Sequence, residues 1–272
     1  RARCLYWVDI RLPAIRRLVP STGALDTWPM PGLVGSIALA DDGRVIAAME
    51  SRIAAARLGE DGSVALEDLA RMTFPAAGMR FNDGRCDARG RLWVGTMDNQ
   101  LTRPVGSFYR VDPDGSVHRQ FGDVIVSNTV AFSPAQDRLY FSDTRRFTTW
   151  QFGFDLQAGQ LAPRQVFVDH TASRARPDGA CVDAQGFVWT AVFGGGRIER
   201  YSPQGRLDRV IELPVTNPTC VCLGGPDLRT LFITTARKFL DRAQLRREPL
   251  AGALLAIEVD TPGLPEHRFG AG

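Results

Sequence analysis

Four polar residues stand at one kind of place in the chain. Arg80 and Asn82 (in Arg80-Phe81-Asn82-Asp83-Gly84), Asn128 (in Ser127-Asn128-Thr129) and Asp178 (in Pro177-Asp178-Gly179) each lie just before a short apolar segment. Asn128 and Asp178 offer a carboxamide oxygen and a carboxylate, hard ligands suited to Ca²⁺, Mg²⁺ or Mn²⁺. Taken singly, each reads as a turn residue, because Asn and Asp side chains bond to their own backbone. Equivalent placement in successive units argues for more, since a turn does not require a carboxamide and a carboxylate at the same level. Gly35-Ser36 and Asn217-Pro218-Thr219 occupy the same kind of place. A nucleophilic triad fails on inventory. The histidines are His118, His170 and His267, none at these positions and all read as surface or loop residues, and no G-x-S-x-G elbow exists.

An internal repeat supplies the elements that would position these residues. One β-rich hexapeptide type recurs as Leu5–Ile10, Arg44–Met49, Arg91–Thr96, Arg138–Asp143, Phe187–Val192 and Thr230–Thr235, with starts 39 to 49 residues apart. The spacing is that of a four-stranded propeller blade. Turns such as Asp87-Ala88-Arg89-Gly90 and Asp183-Ala184-Gln185-Gly186 precede the hexapeptide, with Gly supplying the positive φ of a tight hairpin. A second turn follows in each unit, from Pro20-Ser21-Thr22-Gly23 to Asp260-Thr261-Pro262-Gly263. Two hairpins per unit make a four-stranded antiparallel meander. No long segment carries a 3.6-residue apolar period, and Phe239–Arg247 allows one short helix at most. The reading is all-β: a six-bladed β-propeller forming a single domain over residues 1–272. Inner strands of a propeller start around one mouth of its channel, so Arg80, Asn82, Asn128 and Asp178 are expected to converge there.

The 272 residues, 44% hydrophobic and 23% charged, are ordinary for a globular domain. The net charge is +3, and Lys238 is the only lysine. The arginines are scattered rather than striped among aromatics, which argues against a nucleic-acid partner. No apolar run is long enough to cross a membrane and no signal peptide is visible. The five cysteines form no C-x-x-C pair, and Cys220 and Cys222, two apart, share one face of a strand. They read as buried reduced thiols, which fits the cytoplasm.

The segments Arg80–Gly84 with Gly90–Met97, Ser127-Asn128, Leu139–Asp143, Pro177–Gly179 with Asp183–Gly186, and Gly224–Leu228 together resemble the SMP-30/gluconolactonase/luciferin-regenerating family over essentially the whole chain. Phe232–Lys238 with Leu250–Ala253 is similar to bacterial sugar lactonases. The resemblance implies hydrolysis of a sugar lactone to its aldonic acid, with a small-molecule lactone as partner and a monomer or small homo-oligomer as the working form. It implies one divalent metal ion (Ca, Zn, Mn, Mg or Fe) on Asn128 and Asp178, with Arg80 and Asn82 on substrate oxygens and Asp178 as general base. Such an ion polarises the carbonyl and orients water, and a carboxylate beside that water takes its proton. The family's third ligand is a Glu in a Gly-Glu-Gly-Pro type segment. Arg1 to Cys4 hold no Glu, and Leu5–Ile10 reads as the second strand of its blade, so the first blade is expected to be incomplete. Two other readings remain open: a propeller hydrolase of organophosphates or other ester-like substrates, and a non-catalytic propeller that binds cations or proteins.

Overall fold

The computed structural model describes residues 4–270, so Arg1–Arg3, which bear on the expected first blade, lie outside the described residues. Six antiparallel sheets follow one another along the chain. The first holds β1 (Leu5–Asp9), β2 (Ala14–Val19) and β3 (Ala24–Pro29), and the second holds β4 (Ser36–Leu39), β5 (Val45–Ala48), β6 (Arg52–Leu58) and β7 (Val64–Arg71). The third comprises β8 (Met79–Cys86), β9 (Leu92–Asp98), β10 (Gly106–Val111) and β11 (Val117–Val124). The fourth has β12 (Ser127–Phe132), β13 (Arg138–Asp143) and β14 (Thr148–Asp155), whose outer partner is split into β15 (Gln160–Leu161) and β16 (Gln165–Asp169). The fifth is β17 (Pro177–Val182), β18 (Val188–Val192), β19 (Arg197–Tyr201) and β20 (Leu207–Glu212). The sixth is β21 (Pro218–Gly224), β22 (Thr230–Thr235) and β23 (Leu254–Glu258), with α1 (Arg242–Arg247) between the last two strands. This is a six-bladed β-propeller. Every hexapeptide of the repeat lands on a strand, and the first and sixth sheets have three strands each among the described residues.

The chain divides into two compact units, residues 1–127 with 155–160 and 266–272, and residues 128–154 with 161–265. In the first unit, side chains of β5 alternate across the sheet as a strand requires. Val45 and Ala47 pack with Ile15 and Trp28 of the first sheet, while Ile46 and Ala48 pack with Phe81, Leu92 and Val94 of the third. Both faces are covered, so β5 and β9 are buried throughout; β5 reads as an unbroken apolar run, and β9 as one from Leu92 to Gly95. Phe269 fills the same core, with its N–H bonded to Leu39 O at 2.9 Å. The second unit repeats the scheme. Val188 packs with Tyr140 and Ala131, and Trp189 and Ala191 pack with Val221, Leu231 and Ile233. By contrast β20 alternates with an exposed face, as an outer strand should.

A buried aspartate ties the inner hairpin of each unit. Asp87, wholly buried, accepts from Trp93 Nε1 and Arg91 Nε, both at 2.7 Å, and from the N–H groups of its own turn. Asp183 does the same with Trp189 Nε1 at 2.9 Å and with Arg200 Nη2 at 2.7 Å. In both turns the Asp lies six residues before the Trp, so the hairpin fixes its own strand pairing. The short helix forms where expected. Asp241 caps it by accepting from Gln244 N at 2.7 Å, and Gln244 Oε1 accepts from Asp241 N.

One histidine, expected on the surface or in a loop, is in a loop that the fold buries. His170 lies in a loop but is buried, with Nε2 3.3 Å from Thr149 Oγ1 and its ring edge-on to Tyr201. The hydroxyl of Tyr201 donates to Glu199, which also pairs with Arg197 at 2.7 Å. Burial pushes the His170 pKa below its ordinary value, against the opposing pull of Glu199 and Asp169.

Two outcomes follow. Asp183→Ala takes the buried acceptor from Trp189 Nε1 and from Arg200 Nε and Nη2, leaving Asp208 as the one carboxylate on Arg200, and should cost about 1–3 kcal/mol in urea unfolding. Burial favours the neutral form of His170 in the folded chain, whereas the unfolded chain takes up a proton near pH 6.5; stability should therefore fall as pH drops below about 6.5. Unfolding midpoints from about pH 7.5 to 5 should fall less steeply for His170→Gln than for the parent.

Candidate functional site

In the first unit, β8 opens with a bulge. Phe81 pairs with Thr96 and Gly84 with Val94, so Asn82 and Asp83 together oppose Gly95. A bulge bends its strand and re-aims the side chains on it. Arg80 and Asn82 are both buried there. Arg80 donates from Nε to Asn99 Oδ1 at 2.9 Å, and from Nη1 to Phe81 O at 2.9 Å and to Asn82 Oδ1 at 2.6 Å. Asn82 donates from Nδ2 to Ser127 O at 2.7 Å. These bonds fix the plane of the guanidinium and tie β8 to the first residue of β12. Ser127 in turn presses on Gly95, where any added Cβ would lie 2.3 Å from the serine Cβ. Asp98 on the same strand is held as an ion pair. Hydrogen bonding to Arg103 keeps its carboxyl at about 2.

In the second unit, Asn128 donates from Nδ2 to Thr144 Oγ1 at 2.7 Å, and the Thr144 hydroxyl donates to Pro177 O at 2.6 Å. Thr129 takes the left-handed conformation, φ +58°, an unusual choice for a β-branched residue, and donates to Asp178 O at 2.6 Å. The starts of β12 and β17 are thus joined by two hydroxyl links on either side of Asp178. Here too the strand is bulged, since Pro177 pairs with Val192 and the next pair is Ala180 with Thr190. With its amide N–H engaged, Asn128 has a carbonyl oxygen to offer a cation, and Asp178 has a carboxylate. Two hard oxygen donors suit a divalent ion of the Ca²⁺ or Mg²⁺ kind, which completes its shell with water or substrate. Among the described residues no group of three or more His, Cys, Asp or Glu gathers as a metal cluster, and all five cysteines are free thiols.

In the first unit Arg80 is bonded to Asn82, and in the second the Asn128 and Asp178 segments are joined through Thr144 and Thr129. The partners Asn99, Thr129 and Thr144 escaped the sequence reading. Asn99 and Thr144 directly follow β9 and β13, and an antiparallel hairpin returns that end to the start of the inner strand. A polar residue just after the hexapeptide was the available signal.

Buried polar side chains held at the starts of inner strands, in a β-propeller, define a candidate ligand-binding class. Comparison with known proteins narrows that class. The model described as SMP-30/Gluconolactonase/LRE-like region matches residues 1–237, and the chain belongs to that family. The 6-deoxy-6-sulfogluconolactonase of Pseudomonas putida is 39% identical over 99% of this chain and 91% of its own. Regucalcin of Oryctolagus cuniculus is 33% identical over 97% of this chain and 90% of its own. The crystal structure of regucalcin from Agrobacterium tumefaciens, described as a calcium-binding protein, has a TM-score of 0.92 at 27% identity, covering 98% of this chain and 90% of that one. Among the described residues no helix is long and apolar enough to cross a membrane.

Thr144→Val removes the hydroxyl between Asn128 and Pro177 and leaves a buried donor and a buried acceptor unmatched. It should lower stability by about 1–3 kcal/mol in chemical denaturation, while Thr144→Ser should hold most of the parent value.

Proposed function

We propose that this protein hydrolyses a sugar lactone to the open aldonic acid with the help of one divalent cation. The observation that carries the reading is the pair of hydroxyl links that hold the Asn128 and Asp178 segments side by side, on a chain 39% identical to a sugar lactonase. In this reading Asn128 and Asp178 hold the ion through oxygen. When bound, the ion supplies Lewis-acid polarisation of the lactone carbonyl.

Asp178 then acts as general base. It accepts a proton from the attacking water as the new C–O bond forms, and that proton can go to the ring oxygen as the C–O bond of the lactone breaks. Arg80 presents donors in a rigid fork, suited to sugar hydroxyls or to the oxyanion that develops on the former carbonyl. Asn82 contacts substrate oxygens in the same reading and also holds Arg80 through Oδ1. A preorganised donor needs no reorientation during the reaction, which is why the bonds from Asn99 and Asn82 to Arg80 matter. The partner is a small molecule, and the cytoplasm, whose reducing conditions suit the five free thiols, is the proposed location.

The test is a panel of aldonolactones followed by proton release, with and without chelator, beside calorimetric metal titration. Arg80→Ala should lose about 2–4 kcal/mol of transition-state stabilisation and keep its metal affinity. Asp178→Asn should lose both metal affinity and turnover. Full activity of Asp178→Asn, or chelator-resistant hydrolysis at the parent rate, overturns the mechanism.

A further inference from the structure

The contacts that hold Arg80 in the first unit close into a circuit through Ser127, a residue that the chemistry above does not use. Arg80 faces Met97 in the β8–β9 ladder, and Met97 forms an antiparallel bridge to Val126. The next residue, Ser127, accepts from Asn82 Nδ2 through its carbonyl at 2.7 Å. Asn82 Oδ1 in turn accepts from Arg80 Nη1 at 2.6 Å, and the circuit returns to its start. Asn99 holds the guanidinium at Nε, at 2.9 Å, while its own N–H donates to Gly78 O at 3.1 Å.

The side chain of Ser127 fixes the place of that carbonyl, and it does so by volume. Ser127 is wholly buried, and its hydroxyl has no hydrogen-bond partner among the described residues. A buried hydroxyl left unmatched costs about 1–3 kcal/mol, so hydrogen bonding does not account for the side chain. Its contact with Gly95 does. A Cβ built on Gly95 would lie 2.1 Å from Ser127 Oγ and 2.3 Å from Ser127 Cβ. Gly95 has no positive φ, so space and not backbone conformation calls for glycine there. A rotamer change could carry Oγ away, but Cβ moves only with the backbone. Carbon atoms pack at about 3.5–4.0 Å, so relief of the second contact shifts the start of β12. Gly95 is also the residue that Asn82 and Asp83 oppose across the β8 bulge. A displacement of Ser127 therefore falls directly on Asn82.

We propose that Ser127 is a positioning residue for Arg80: seated on Gly95, it sets the place of the carbonyl that orients Asn82, and Asn82 orients the guanidinium. The proposal rests on the lactonase reading for its effect on turnover. A carboxamide is planar and carries its donor and its acceptor on one rigid group. Asn82 keeps both bonds only while Ser127 O and Arg80 Nη1 stay in line with it. Once β12 shifts, the bond from Nδ2 breaks, Oδ1 turns with it, and the guanidinium fork tilts. A donor moved off its line by about 1 Å costs up to about a hundredfold in rate.

The experiment joins NMR of the arginine Nε–H groups to lactone kinetics and calorimetric metal titration on the whole chain. The Arg80 Nε–H signal, assigned by its loss in Arg80→Lys, should exchange slowly with water in the parent. Gly95→Ala should speed that exchange by about tenfold or more, the scale of one lost hydrogen bond. It should also lower kcat/KM by about ten- to a hundredfold and keep the parental metal affinity. Ser127→Thr adds a methyl to the other side of the same contact and should act in the same direction, which decides the matter should Gly95→Ala fail to fold. Ser127→Ala keeps Cβ and loses only the unmatched hydroxyl, so it should retain slow exchange and most of the turnover. Gly95→Ala/Ser127→Gly moves the Cβ from one strand to the other and should recover both readouts relative to Gly95→Ala. Parental exchange and kcat/KM in folded Gly95→Ala or Ser127→Thr overturn the positioning role, and so does the loss of both in Ser127→Ala. A fall in metal affinity that matches the fall in kcat/KM overturns it too, because it marks a general disruption. Should the parent hydrolyse no lactone, the lactonase reading fails, and the exchange of the Arg80 Nε–H still decides whether Ser127 holds the guanidinium.

Discussion

The close approach of neighbouring inner strands is the constraint on which this structure depends. At Gly35 any Cβ would lie 2.3 Å from Phe81 O and 2.8 Å from Asn82 Cα, and at Gly179 it would lie 2.9 Å from Cys220 Cα. These contacts are with backbone, so no rotamer change can relieve them. Glycine at these positions is therefore a packing requirement, independent of φ. It lets the first residues of adjacent inner strands stand shoulder to shoulder within each unit, which brings polar side chains into bonding range of the next blade's backbone.

Regular strands alone would not finish the task. A strand in register alternates its side chains strictly, and would turn some of these polar groups into the apolar layers between blades. The inner strands escape this at their starts. Bulges interrupt β8, β17 and β21 between Phe81 and Gly84, Pro177 and Ala180, and Pro218 and Cys220. In β12 the left-handed Thr129 serves instead. Each irregularity frees backbone groups, and the hydroxyls and amides of Thr129, Thr144, Asn82 and Arg80 take them up. Local strain and side-chain bonding are thus two halves of one device.

The buried aspartates at the other end of the inner hairpins are built for permanence. Asp183 is enclosed by Trp189, Arg200 and its own turn, and Arg200 stacks 3.8 Å from the centroid of Phe187. A charge so desolvated is tolerable only when its donors are fixed. At the opposite end of β17 Asp178 is only part-buried, while Arg80, Asn82 and Asn128 at the starts of β8 and β12 are buried and hydrogen-bonded.

The sequence by itself determined the all-β architecture, because six hexapeptides at a near-constant interval and a glycine in most turns leave few other solutions. It also determined where Arg80, Asn82, Asn128 and Asp178 stand along their units, since their position relative to the repeat is a matter of counting. It did not reveal that His170 is buried, because burial there depends on Tyr201 and Thr149, which no local pattern links to it. Nor did it reveal the relay from Asn128 through Thr144 to Pro177, which spans 16 and then 33 residues. Repeat and turn signals are local in the chain. Hydrogen-bond partners across blades are not, and only the packed strands decide them.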